Sequence, residues 1–127
     1  LPSDAIHHLT VDEVLAIHEG LIARFGGTAG VRDLGLLESA LYRPRTGYYD
    51  DLPAMATALF ESLIMNRPFL DGDKRVAFFA TDVFLRLNGW RFDVDPDETH
   101  AFLTDLLDLG RCDYEHLLHW VRASMVH

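Results

Sequence analysis

Leucine and alanine supply 32 residues of this chain, valine and isoleucine only 12. β-Branched side chains lose rotamer freedom in a helix whereas leucine and alanine do not, so the bias directs the chain towards helices. The spacing of apolar residues agrees. Val11, Val14, Leu15, Ile17, Leu21, Ile22 and Phe25 recur at helical intervals, and Thr10 with Glu13 has the spacing of a capping box, which predicts a helix to about Arg24. Gly26, Gly27 and Gly30 form a flexible connection. Asp33 then caps a short helix through Leu41 that Pro44 ends, and Pro53 opens another that reaches Met65. The segment from Arg67 to Gly72 interrupts the pattern before a helix from about Asp73 to Leu87, closed by Asn88-Gly89. Trp90 to Val94 alternates as a strand would, but one strand cannot make a sheet, so it reads as an extended connector. Asp95, Pro96 and Glu98 start a fifth helix that stops at Gly110, and Asp113 caps a last one to about Val126. The expectation is a compact all-α domain of about six helices over residues 1–127, with one short extended connector.

Composition narrows the function. A chain of 127 residues suits one core, and 49% apolar with 24% charged residues excludes disorder as the main state. The net charge of −9 has the wrong sign for neutralising many phosphates along a duplex, so general nucleic-acid binding is disfavoured. The same charge suits a basic partner segment, with an association that weakens as salt rises. Cys112 is the lone cysteine and closes no internal disulfide; no run is long and apolar enough to span a bilayer, and Leu1-Pro2-Ser3-Asp4 lacks the start of a secretory leader. A cytoplasmic protein is the expectation.

One polar loop between two hydrophobic helices could carry chemistry: Asn66-Arg67-Pro68-Phe69-Leu70-Asp71-Gly72-Asp73-Lys74-Arg75. A helix N-terminus attracts anions through its free N–H groups and dipole, Gly72 permits close backbone approach, and Lys74 and Arg75 can neutralise phosphate oxygens. Asp71 could hold a magnesium ion, which takes one or two protein carboxylates and leaves its other positions to water and phosphates. The plainer reading is a turn at Asp71-Gly72, a cap at Asp73 and solvated cations at 74 and 75.

The stretch from Arg67 to Arg75 resembles the signature loop of the Fic/Doc family, His-Pro-Phe-x-Asp-Gly-Asn-Lys-Arg. Upstream, Val11 to His18, Phe25-Gly26-Gly27 and Gly30 to Leu41 look like its death-on-curing branch, and the Lys74-Arg75 ending is similar to Doc toxins where AMP-transferring relatives carry Gly-Arg. The resemblance implies the toxin of a bacterial toxin–antitoxin pair, a kinase that moves phosphate from ATP to a threonine of elongation factor Tu and stops translation. It implies ATP and Mg²⁺ as cofactors and a Phd-like antitoxin as partner. It places Asp71 at the metal, Gly72 and Asp73 in the anion hole, Lys74 and Arg75 on phosphate, and Phe69 in the core. The family's inhibitory Ser/Thr-x-x-x-Glu-Gly/Asn motif has its nearest match at Leu15 to Glu19-Gly20, which lacks the hydroxyl, so inhibition is expected from a separate chain.

Two positions depart from the pattern. Arg67 stands where the family has its general-base histidine, and a guanidinium cannot accept a hydroxyl proton, which implies a loss of about 10²- to 10⁴-fold. Asp73 replaces asparagine; at about 4 Å and an effective dielectric of about 20 its charge would repel a phosphate charge by about 4 kcal/mol. The formal charge of the loop nevertheless stays at +1, which suggests that Arg67 and Asp73 pair across it. The alternatives are a catalytically dead, antitoxin-binding co-regulator of transcription, or an AMP-transferring enzyme. Elsewhere, Cys112, His116 and His119 share a helical face but lack a fourth zinc ligand, and His18 reads as a hydrogen-bonded helix histidine. Phe78, Phe79, Phe84 and Trp90 read as core, Glu38 and Ser39 as residues that could orient a target or antitoxin segment, and Tyr48 to Asp51 as part of a target-docking flap.

Overall fold

The computed structural model describes residues 5–127. Its helices are α1 (Val11–Phe25), α2 (Leu34–Tyr42), α3 (Leu52–Asn66), α4 (Asp73–Leu87), α5 (Pro96–Asp108) and α6 (Tyr114–Ser124), with a 3₁₀ turn at Arg43–Arg45 and two short strands, β1 (Arg91–Phe92) and β2 (Met125–Val126). Most of the caps expected from sequence form. Thr10 and Glu13 make a reciprocal capping box on α1, and Asp33, Asp95 and Asp113 each accept a backbone N–H at the start of α2, α5 and α6, while α3 is capped by Asp51, which the sequence reading left in a loop.

Helix α3 is buried around most of its circumference and is the central one. Ala56, Ala58, Phe60 and Leu63 are fully buried, and α4, α6 and α2 pack around it. Phe60 meets the rings of Phe92 at 6.1 Å and Trp120 at 5.6 Å, both edge-on, so it ties α3 to β1 and α6. Phe78 and Phe84 are buried, while Phe79 and Trp90 pack partly buried against the same core.

The connector from Trp90 to Val94 is in part a strand. Arg91 pairs with Val126 and Phe92 with Met125, antiparallel, so the last helix ends at Ser124 and not at Val126. Neighbouring bonds hold the connector there: the Phe92 N–H donates to Asp82 Oδ1 at 2.9 Å and the Asp93 N–H to the Ser124 carbonyl at 2.9 Å. A partner for a two-residue strand more than 30 residues downstream leaves no periodic trace in the sequence.

Tyr48 to Asp51 also lies elsewhere than expected. Asp51 caps the N-terminus of α3 and the polar loop follows its C-terminus, so about 22 Å of helix separates the two. Tyr49 packs instead beside Arg43 and Tyr114, which removes the flap assignment. No helix among the described residues is long and apolar enough to cross a membrane.

Replacing Phe60 by alanine should lower the unfolding free energy by about 3–5 kcal/mol, because the ring sits among rigid aromatic neighbours that cannot collapse into the space. Urea denaturation measures this; a loss below about 1 kcal/mol would show that α3 is not the centre of the core.

Candidate active site

The loop between α3 and α4 is held from several sides. Phe69 is buried and stacks on the His18 ring of α1 at 3.9 Å, with 12° between the planes. His18 Nε2 lies 2.8 Å from the Asp71 carbonyl oxygen. A carbonyl only accepts, so Nε2 carries the proton and donates. The segment Gly30–Asp33 runs antiparallel beside Pro68–Leu70: the Arg32 and Asp33 N–H groups donate to the Pro68 carbonyl and the Leu70 N–H to that of Gly30. Arg32 also caps the end of α3, its Nε donating to the Arg67 carbonyl at 2.7 Å and a terminal nitrogen to that of Asn66 at 2.6 Å. Arg67 itself is left-handed, at φ 48° and ψ 58°, and is the one non-glycine with positive φ among the described residues.

Asp71 closes the loop on the other side. Its carboxylate accepts the Gly72 N–H at 2.9 Å and the Thr28 N–H at 3.1 Å. A Cβ on Gly27 would stand 2.7 Å from Asp71 Oδ2, so the glycine-rich connection after α1 is needed for this approach.

The consequence appears at α4. Gly72, at φ 79°, occupies its N-cap position and no side chain takes up its first amides, whereas each of the other five α-helices carries a side-chain cap. The plainer sequence reading, in which Asp73 caps α4, is thereby corrected. Asp73 is already helical, and its Oδ1 accepts the Phe69 N–H at 3.0 Å. Partial burial pushes the Asp73 carboxyl above the ordinary aspartate value, against the Phe69 hydrogen bond and the nearby charges of Arg67, His18 and Arg32.

The amides of α4 open onto a cleft of about 740 Å³. Arg67, Asp71, Gly72, Asp73, Lys74 and Arg75 all line it, so the structure gathers every signature residue singled out from sequence. Lys74 Nζ donates to Thr104 Oγ1 of α5 at 3.1 Å, and the Arg75 guanidinium lies over the Phe25 ring at 4.1 Å. One cation is thereby held against α5 and the other against α1. Phe25, Met65, Leu70 and Leu107 supply an exposed apolar rim.

The expected pairing of Arg67 with Asp73 does not occur. The guanidinium is exposed and makes no ion pair with that carboxylate, which has turned inward to the Phe69 amide while Arg32 holds the backbone of residue 67. Glu38 and Ser39 line a second cleft, with His7, His8 and Tyr42, that shares no lining residue with the first. Cys112 is buried ahead of α6, and His116 Nδ1 is 2.8 Å from Asp113 Oδ1, while His119 is exposed. Sequence reasoning missed Arg32 and His100, and it gave His18 no role in the loop. The partners of Arg32 and His18 lie 34 or more residues away and His100 comes from a different helix, and only the glycines of 26–30 signalled that a second segment must come close.

Asp71 suits a magnesium ion that takes a single protein ligand. It is exposed, and each oxygen that accepts one N–H retains a lone pair. Among the described residues no cluster of three or more acidic, histidine or cysteine side chains offers a fuller cage.

These features are those of a family. Residues 8–85 match the model of the Fic/DOC family. The chain is 43% identical over 82 residues to "Toxin Doc" of Mycolicibacterium smegmatis, covering 61% of this chain and 63% of the relative, just under two-thirds of its length. It is 31% identical over 96 residues to "Protein kinase doc" of Escherichia phage P1, covering 72% of this chain and 76% of the relative. The chain belongs to the Fic/Doc family, in its Doc branch.

The raised Asp73 value yields a prediction with a definite sign. Folding disfavours the charged carboxyl, so Asp73 costs stability above its folded pKa, and the cost vanishes as pH falls below the ordinary value of 3.8. Asp73→Asn keeps an oxygen for the Phe69 N–H and should raise Tm at pH 7, with the gain shrinking towards pH 3. A lower Tm at pH 7 in calorimetry would contradict this.

Proposed function

We propose that this chain is the toxin of a type II toxin–antitoxin pair, with a cleft built for the polyphosphate of Mg-ATP and for phosphoryl transfer to a threonine of elongation factor Tu, and with that transfer strongly impaired. The observation that carries the reading is the uncapped start of α4, with Lys74 and Arg75 in its first turn, in the same cleft as Asp71. Open amides, two cations and a glycine turn form an anion-binding corner. The relatives' names, a toxin and a protein kinase, support the choice of phosphoryl transfer.

Each residue then has a task. Gly72 and the amides that follow cradle phosphate, Lys74 and Arg75 neutralise its charge, and Asp71 would hold Mg²⁺, which when bound offsets the charge of the phosphates. Arg67 stands where a target hydroxyl must lose its proton, and it stays protonated. Transfer is therefore slow while binding survives. Asp73 places a carboxylate in the same corner and weakens nucleotide binding.

A second reading is a partner protein without catalysis, which binds a Phd-like antitoxin and co-regulates transcription. The exposed apolar rim of Phe25, Met65, Leu70 and Leu107 favours it, since a segment that folds on the toxin could cover those side chains. Either role places the protein in the cytoplasm, as a single domain over residues 1–127.

The test compares the chain with its Arg67→His and Arg67→His/Asp73→Asn variants, using elongation factor Tu and γ-labelled ATP. The double variant should transfer phosphate about 10²- to 10⁴-fold faster than the parent. No transfer by any of the three would overturn the kinase reading, and label appearing only from α-labelled ATP would replace it with AMP transfer.

A further inference from the structure

The signature residues account for most of the cleft's polar lining, but one group outside them remains. His100, on α5, faces the same space, half-buried. It sits one turn before Thr104, whose hydroxyl donates to the His100 carbonyl at 2.9 Å and accepts from Lys74 Nζ at 3.1 Å. The phosphate-facing lysine and this imidazole are therefore positioned by one turn of one helix.

We propose that His100 is a binding residue of the cleft, whose ring Nε2 donates a hydrogen bond to the polyphosphate of a nucleotide. The inference rests on the reading of the cleft as a polyphosphate site and extends it to a residue outside the signature loop.

The tautomer follows from what surrounds the ring. His100 Nδ1 is shut off from solvent and has no hydrogen-bond partner. A proton there would bury an N–H with no acceptor, a costlier arrangement than an unpaired lone pair. The neutral ring therefore carries its proton on Nε2, the polar atom left for a ligand. An Nε2 that donates has no lone pair to offer a hydroxyl proton, so His100 does not replace the base missing at position 67.

Its charged neighbours bear on the same role. Lys74 and Arg75 of α4 and Asp97 of α5 act on the ring, and Arg67, Asp71 and Asp73 line the rest of the cleft. Burial, then Arg75 and Lys74, hold the imidazole below its ordinary value of 6.5, with Asp97 opposing. A polyanion between the two cations cancels part of their field. The penalty on a charged ring is then smaller and the midpoint rises on binding, while the hydrogen bond to the ligand is made by the neutral ring through Nε2.

The experiment titrates the full chain with inorganic tripolyphosphate and with Mg-ATP by calorimetry, and follows the His100 ring protons by NMR as a function of pH. His100→Leu should weaken tripolyphosphate binding about tenfold, while His100→Gln, which keeps an N–H at the corresponding place, should stay within about threefold of the parent. The His100 midpoint should rise when tripolyphosphate is bound. An unmoved midpoint, or a glutamine variant as weak as the leucine one, overturns the proposal. Should the leucine variant not fold, the glutamine variant and the parent's midpoint decide alone. Binding that Lys74→Ala abolishes but His100→Leu leaves intact sinks this inference and spares the cleft; no binding by the parent removes both.

Discussion

Everything the loop does depends on the stack of His18 upon Phe69. Phe69 belongs to the loop and His18 to α1, so their contact fixes the loop against a helix formed 50 residues earlier in the chain. The imidazole adds direction to the apolar contact, because Nε2 donates to the Asp71 carbonyl and sets that peptide plane. With Asp71 turned this way its side chain meets the amides of Gly72 and Thr28, and Gly72 is left as a bare cap for α4. A helix that takes glycine in place of a capping side chain forgoes only about 0.3 kcal/mol of stability. The anchors on the loop supply that stability from elsewhere and keep the amides open.

The electrostatics of the molecule are uneven in a way that its net charge conceals. A chain at −9 gathers Arg67, Lys74 and Arg75 about one cleft. Like charges this close repel, and the structure offsets the repulsion without a full set of ion pairs. Arg75 lies on an aromatic face, Lys74 is hydrogen-bonded to a hydroxyl, and neither contact neutralises its charge. Both remain available to an anion, and an anion relieves their mutual repulsion.

How much of this was legible depended on the range of each interaction. The Thr10–Glu13 box, the aspartate caps and the glycine stop signals act within four residues, so the helices could be read with ends close to those observed. The strand pair was not legible, since Arg91–Phe92 finds its partner only when α6 returns the chain. The signature residues were found as a string, and the string does place them in one cleft. Their mutual contacts were not found. Charge balance alone suggested an Arg67–Asp73 pair, but Asp73 had a nearer donor in the Phe69 amide, and a short loop satisfies its buried backbone groups first.

Arg67 shows why the change at that position can alter chemistry without altering shape. A left-handed backbone costs an ordinary residue about 1–2 kcal/mol, and the proline that follows disfavours helical geometry further. The conformation persists because Arg32 holds the carbonyls of Asn66 and Arg67, and because Pro68 is locked by two amides from the segment beside it. None of these contacts uses the Arg67 side chain. The backbone at this position is thus imposed by its surroundings, and histidine tolerates positive φ better than most residues do. On the proposed reading, an exchange of histidine for arginine would remove a proton acceptor from a corner whose backbone geometry does not depend on that side chain.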